Sequence, residues 1–468
     1  MKRNGLIAMG IITTLLAGCT LAPKYERPAA PVPAAWPTGA AYTETKPGPA
    51  ASTVSELTWR EFFPDERLQR VVETALNNNR DLRLAALNVE RARAIYGISR
   101  AELLPAVNAV GSGSKGRIPA DLSTTGGEMT SGQYSVNLGI SSWEIDFFGR
   151  LRNLKDRAWE EYIATDQARR SARILLVSTV ASAYFAMAAD RENLKLATST
   201  LETQESSYKL IRKRHDVGLT SELDLRRAQS QVDAARGDVA RYIQLVAQDE
   251  NVLDLVVGSP VSREALPAEL GSIRPPREIS AGLSSDLLLR RPDVLAAEHR
   301  LKAANANIGA ARAAFFPRIS LTTSFGTASA DLSGLFKDGS STWGFAPQIV
   351  IPIFDARTWS AYKVTKVDRE ITVAQYEKAI QTAFREVADA LAVRGTVNQQ
   401  IAAQESLVGA VSETYRLSNA RYTRGIDSYL GVLDAQRSLY GAQQGLIFLR
   451  LARVTNLVNI YKALGGGA

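Results

Sequence analysis

The sequence predicts a mixed α and β membrane protein, in which strands from several chains close one β-barrel and long helices continue it. Three observations carry this. The chain repeats itself at a constant spacing. Four stretches switch from helical to strand alternation at about the length of a tilted bilayer crossing. Two helical patterns run far longer than a globular domain can use.

The repeat is clearest in KRHDVGLTSELDLRRAQS (Lys213–Ser230) and ARYTRGIDSYLGVLDAQRS (Ala420–Ser438). Tyr208 and Tyr415, Arg214 and Arg421, Gly218 and Gly425, Ser221 and Ser428, and Leu223 and Leu430 all lie 207 residues apart. In each copy a helical pattern runs into glycine, a polar residue follows (Thr220, Asp427), and a second helical pattern begins. That is a helix stop and restart, so each copy predicts the bend of an antiparallel helical hairpin.

Six segments follow. Residues 1–18 read as a signal peptide: Lys2 and Arg3 precede a short apolar run from Leu6 to Leu16, too short to span a membrane. Leu16-Ala17-Gly18-Cys19 closes it and fits a lipoprotein processing site, with Cys19 acylated as the new N-terminus. Each buried methylene of an acyl chain contributes about 0.8 kcal/mol, so several chains anchor stably. Thr20 stands where an Asp would direct retention in the inner membrane, which points to the outer membrane. Residues 19–60, rich in Pro and Ala, predict an extended arm. Residues 61–257 form the first repeat, 258–282 a Pro-rich connector, 283–464 the second repeat, and 465–468 a loose end.

Within the first repeat one helix is expected from Asp65 to Pro105, with Leu68, Val71, Val72, Ala75 and Leu76 at helical spacing. A weak strand follows at 106–115, then a Gly/Ser/Thr-rich loop. Tyr134, Val136, Leu138 and Ile140 alternate with Ser135, Asn137, Gly139 and Ser141. From Gly149 to His215 no Pro or further Gly interrupts a helical pattern on the order of 100 Å long. A shorter helix returns from Ser221 to Val257. The second repeat runs in the same order: helix to Pro317, a strand with Ile319, Leu321, Thr323 and Phe325 on one face, and a Gly/Ser loop. A strand face of Phe345, Pro347, Ile349, Ile351 and Ile353 follows, then a long helix from Asp355 and a return helix to Leu464.

Four strands cannot close a useful barrel, and open edges in hydrocarbon cost several kcal/mol per unpaired backbone group. Several chains must share one barrel of eight, twelve or sixteen strands; twelve from three chains leaves an aqueous lumen and a ring of six hairpin tips. Such an assembly is a conduit. A net charge of +8, dispersed along helix faces beside acids, excludes a nucleic-acid partner. His215 and His299, the two histidines, lie far apart, which speaks against a metal site. No nucleophile triad, phosphate loop or dinucleotide fingerprint stands in its required context. The chain reads as non-enzymatic, with no cofactor beyond the covalent lipid on Cys19.

LLRRPDVLAAEHRLKAANANIGAARAAFFPRISL (288–321), SWEIDFFGRLRN (142–153) and ARYTRGIDSYLGVLDAQRSL (420–439) resemble the TolC-like outer membrane factors, in their OprM-like lipoprotein branch. The resemblance covers nearly the whole chain. It implies a homotrimer with a twelve-stranded outer-membrane β-barrel, a long periplasmic α-helical barrel and an equatorial belt. It also implies partners, a periplasmic adaptor (membrane fusion protein) and an inner-membrane RND-type transporter, and export of antibiotics and other small toxic compounds. A type I protein secretion duct is the alternative. Leu430, Asp434 and Arg437, on one helix face, match the family's periplasmic gate, with Arg421 and Tyr422 on the preceding helix. Val217, Gly218, Leu219, Thr220, Gly425, Ile426 and Ser428 flank the bends and are the expected adaptor-docking tips.

Overall fold

The computed structural model describes residues 20–42, 57–124, 126–279 and 285–466. The expected leader, the lipidation residue Cys19, part of the arm and residues 467–468 lie outside the described residues. The elements run twice in one order. First come α1 (Glu66–Asn78), α2 (Arg80–Ala101), β1 (Val107–Ile118), β2 (Met129–Ile145), α3 (Arg150–Asp216) and α4 (Glu222–Val257). Then come α5 (Pro292–Ala313), β3 (Arg318–Ser329), β4 (Ser341–Val350), α6 (Ala356–Thr423) and α7 (Tyr429–Ala463). The chain divides into two compact units, one of residues 20–29, 88–165 and 296–376, the other of 30–87, 166–295 and 377–466.

The first unit holds one antiparallel sheet in the order β1-β2-β3-β4. Its register places Ala109, Leu138, Phe325 and Trp343 in one row, and Val107, Ile140, Thr323 and Phe345 in the next. Asn137, Ser135, Ser324 and Thr342 fall on the opposite face, so one face is apolar and the other polar, as a membrane barrel wall requires. The register slips between Ile140 and Trp143, where Ser142 takes φ 53°. This bulge keeps Trp143, paired with Leu321, on the apolar face although it lies three residues beyond Ile140. β4 ends at Val350; Ile351 and Ile353, expected on its face, lie beyond it because Pro352 has no amide for the ladder.

At the foot of the sheet SWEIDFFGRLRN becomes a knot of charges. Glu144 accepts two bonds from Arg150, both 2.8 Å, and forms an ion pair with Arg318 at 2.6 Å. Asp146 accepts from the amides of Leu151 (3.2 Å) and Arg152 (2.8 Å), where its charge opposes the helix dipole of α3. The start of the arm lies along α5 as a strap. Buried Glu298 accepts from the Tyr25 hydroxyl (3.1 Å) and from Arg27 Nε (3.0 Å) and Nη2 (2.7 Å). Asn305 Nδ2 donates to Pro23 O (2.7 Å), Arg312 to Leu21 O (3.1 Å), and Thr20 to Asn153 Oδ1 (2.8 Å). Removing the carboxylate leaves Arg27 without its partner, a loss of about 1–2 kcal/mol because that guanidinium is half exposed. Glu298→Ala is therefore expected to expose the bond after Lys24 to trypsin. Wild-type cleavage rates in that variant would show that the strap is held by other contacts.

The second unit has its core around the connector. Phe62 stacks on Tyr461 at 4.5 Å, and α1 buries Leu68, Val71, Val72 and Ala75 with Val180, Tyr184 and Phe185 of α3 and Leu253 and Val257 of α4. The helix expected to run unbroken from Asp65 to Pro105 breaks at Asn79. Its side chain accepts from Leu82 N (2.8 Å) and donates to Val256 O (2.7 Å), capping α2 while tying it to α4. The RRPD motif has a similar task. Arg291, almost fully buried, bonds Asp293 (3.0 and 2.7 Å), Glu386 (2.9 Å) and Ala463 O (2.6 Å), fixing the start of α5 to α6 and the end of α7. α3 contains an 18-residue stretch apolar enough to cross a membrane, but 61% of it is buried within the chain.

Candidate functional site

Both hairpins end in the same backbone device. Gly218 and Gly425 each take φ 76°, a left-handed conformation that a Cβ would strain. The Gly218 amide donates to His215 O and the Leu219 amide to Arg214 O, both at 2.8 Å. In the second turn Gly425 donates to Tyr422 O (2.9 Å) and Ile426 to Arg421 O (3.0 Å). These bonds satisfy the last carbonyls of α3 and α6 and reverse the chain. Ser221 caps α4 through the Asp224 amide, and Thr220 lies near Asp224; Ser428 makes no side-chain cap. Val217, Leu219 and Ile426 stand exposed at the turns.

Behind the turns the two hairpins share a core. Ile211 and Ala228 of the first pack with Tyr422, Tyr429, Val432 and Leu433 of the second. The Tyr422 and Tyr429 rings lie 5.2 Å apart, and the Arg214 guanidinium sits over Tyr422 at 5.1 Å. Burial pushes the Tyr429 phenol up to about 12, which keeps it neutral. Tyr422, expected beside the gate residues, is thus a core residue, 8% exposed, because its large aromatic ring packs into the core between the hairpins.

The other expected gate residues are exposed. Arg421 grips Asp427 across its own turn, with Nη2 3.1 Å from Oδ1, and this holds the Asp427 carboxyl below its usual range. Asp434 and Arg437 pair along α7 at 2.9 Å, with Leu430 exposed one turn before them. The structure therefore joins Asp434 to Arg437 and Arg421 to Asp427, and separates Tyr422 from both pairs. In the first tip Thr220 stands in place of Asp427. Arg214 thus has no acid at the place where Arg421 has Asp427, and lies over Tyr422 instead. His215 and Glu222, 3.1 Å apart, occupy the positions of Tyr422 and Tyr429. Sequence reading missed Arg214, Asp427 and Tyr429 as site residues. The 207-residue spacing held the signal, because it sets His215 against Tyr422 and Glu222 against Tyr429.

No group of three or more His, Cys, Asp or Glu side chains converges on a metal-sized site among the described residues. What the tips offer is packing, ion pairs and an apolar end. Two stretches, residues 71–259 and 283–466, each match the outer membrane efflux protein family. The chain is an outer membrane efflux protein. It is 50% identical over 466 residues to the antibiotic efflux pump outer membrane protein ArpC of Pseudomonas putida, covering 99% of this chain and 96% of that one. The toluene efflux pump outer membrane protein TtgC of P. putida matches with the same identity and coverage. Among solved structures, the open state of the Neisseria gonorrhoeae MtrE outer membrane channel superposes with a TM-score of 0.85 at 38% identity, over 96% of this chain and 98% of that one. In this efflux protein the four strands are its share of an outer-membrane barrel, and the helices are its periplasmic extension.

Proposed function

We propose that this efflux protein works as a lipid-anchored homotrimer with a twelve-stranded barrel. A periplasmic adaptor docks on its tips, and an RND-type inner-membrane transporter loads it with antibiotics and solvents. The ArpC and TtgC relatives, named for antibiotic and toluene efflux, support the cargo class. Acylation of Cys19 supplies the anchor.

One observation carries the assembly: the difference between α2 and α5, helices at the same place in the two repeats, 212 residues apart. α5 is flanked on two sides, by α3 through His299–Glu160 (2.6 Å) and Arg157–Asn307 (3.3 Å), and by α6 through Arg312–Tyr362 (3.3 Å). It buries Val294, Ala296, Leu301, Ala303 and Ile308. α2 meets α3 through Tyr96–Trp159 and buries no residue. Its Leu87 and Ile95 stand where α5 has His299 and Asn307. The α3 residues facing those two, Glu160 and Arg157, become Val367 and Val364 on α6. All four replacements are apolar and exposed. A polar helix seam within the chain thus has an apolar counterpart with both halves uncovered, α2 on one side and α6 on the other. A ring of chains seats each half on the next.

The tips close the periplasmic end of this duct. Leu430 repeated three times supplies an apolar constriction, and the Asp434–Arg437 and Arg421–Asp427 pairs brace it. Exposed pairs are screened by water and contribute little each, so the closed state is favoured weakly enough for adaptor binding at Val217, Gly218, Leu219, Thr220, Gly425, Ile426 and Ser428 to reverse it. Planar-bilayer recordings test this. Leu430→Ala with Asp434→Ala is expected to raise single-channel conductance and vancomycin sensitivity, and Leu223→Ala with Arg227→Ala to do much less. Equal effects from the two double variants would remove the gate from the second tip.

A further inference from the structure

Where α1 and the start of α2 meet α3, the second unit has a cavity of about 550 Å³. Its wall carries four guanidiniums, those of Arg60, Arg83, Arg169 and Arg173, against the single carboxylate of Glu73. Arg60 pairs with Glu73 (2.7 Å) and Arg169 with Asp166 (2.9 Å). Arg83 of α2 and Arg173 of α3 have no acidic partner among the described residues, and both are exposed. Like charges held on one wall repel each other, and a ligand bearing carboxylates relieves that repulsion.

In the second repeat the same positions are covered. At the 212- and 207-residue spacings Ala86 of this cavity corresponds to Glu298, Arg169 to Tyr376 and Arg173 to Ile380. Glu298, Tyr376 and Ile380 are each no more than 2% exposed, whereas Ala86 and Arg173 are exposed and Arg169 is half-buried. At Glu298 the cover is an extended peptide, the arm, whose Tyr25 and Arg27 donate to that carboxylate at 3.1 and 2.7 Å. The second repeat thus sets an acid under a basic strand. The first has alanine in place of the acid and arginines in place of Tyr376 and Ile380, so its charge suits an acidic strand.

The subunit seam leaves this groove open. Glu298 and its neighbour His299 face different partners, Glu298 the arm and His299 Glu160 of α3 (2.6 Å). Their counterparts divide in the same way. Ala86 lines the cavity, and Leu87, which does not, belongs to the seam proposed above.

We propose that this cavity is a binding groove for an acidic, extended segment of a partner protein, seated as the arm is seated in the second repeat but with the charges reversed. Carboxylates of that segment take paired bonds from the Arg83 and Arg173 guanidiniums, whose planar forks match them. The groove is separate from the hairpin tips, so it recruits its partner without competing for them.

Fluorescence anisotropy of a fluorescein-labelled octaglutamate peptide, added to the full-length protein in detergent, tests this. Saturable binding of one peptide per chain is expected, weakening as salt rises, and an octalysine peptide should not bind. Arg83→Glu with Arg173→Glu should weaken binding about tenfold or more, since each change removes a charge-assisted contact. Lys209→Glu with Arg212→Glu makes an equal charge change on the exposed face of α3 near the first tip and should leave binding level. Arg83→Gln with Arg173→Gln should also weaken binding and serves if the reversal of charge disturbs folding. Absence of saturable binding to the wild type would overturn the groove. So would equal losses in the two charge-reversed variants, or unchanged affinity in a folded groove variant. Loss of the oligomer in the groove variants would assign the cavity to a neighbouring copy of the chain and overturn the proposal as well.

Discussion

Leu87→Asp combined with Ile95→Asp is expected to leave the chain monomeric in detergent. The two positions are eight residues apart on α2, so they lie on one helix face about two turns apart. They are exposed, as are Val364, Val367 and Ile371 on α6. Each such side chain contributes about 1.5–3 kcal/mol when fully buried, and a closed ring repeats the seam at every subunit contact. Two carboxylates in that seam replace the gain with a desolvation cost of several kcal/mol apiece, larger than a seam of this size can absorb. The monomer also carries unpaired edges of β1 and β4, so it should not persist in a bilayer. Mass measurement of the extracted protein gives the answer. A stable trimer from the double variant would place the subunit contact elsewhere. Partial recovery of trimer on adding Val367→Lys would fix the pairing, because α3 holds Glu160 opposite His299 at the equivalent place within the chain.

Tyr422→Ala should have the largest effect of any single change at the tips. The ring is buried between the hairpins, against Tyr429 and under Arg214, and its removal costs about 3 kcal/mol or more, since the Arg214 guanidinium loses its support as well. The loss falls on the contact between hairpins, so the tips should loosen while the trimer stays intact. Expected readouts are a several-fold rise in open-channel events and faster amide exchange near Ile211 and Val432. His215→Ala, at the matching position of the first tip, removes only a partly exposed pairing with Glu222 and should change little. An unchanged conductance in intact Tyr422→Ala trimers would assign the closed state to the exposed Leu430, Asp434 and Arg437 face alone.

Local chemistry was legible in the sequence because it is written over neighbouring residues. Alternation gave the strand faces from Tyr134 to Ile140 and from Ile319 to Phe325. The absence of Gly and Pro gave the length of α3, and glycine followed by a cap gave both bends. The break at Asn79 stayed hidden, since its cap is paired with Val256, which is distant in sequence, and nothing local requires it. The bulge at Ser142 was hidden for a related reason: the three-residue step from Ile140 to Trp143 becomes a bulge only through the pairing with Thr323 and Leu321 of β3. At the tips the sequence by itself determined which residues lie at the bends and that the two copies differ. Only the tertiary structure decided that Tyr422 turns inward to Arg214 while Arg421 turns outward to Asp427. Helical spacing puts two adjacent residues on different faces, but which face is inside depends on where the other hairpin packs.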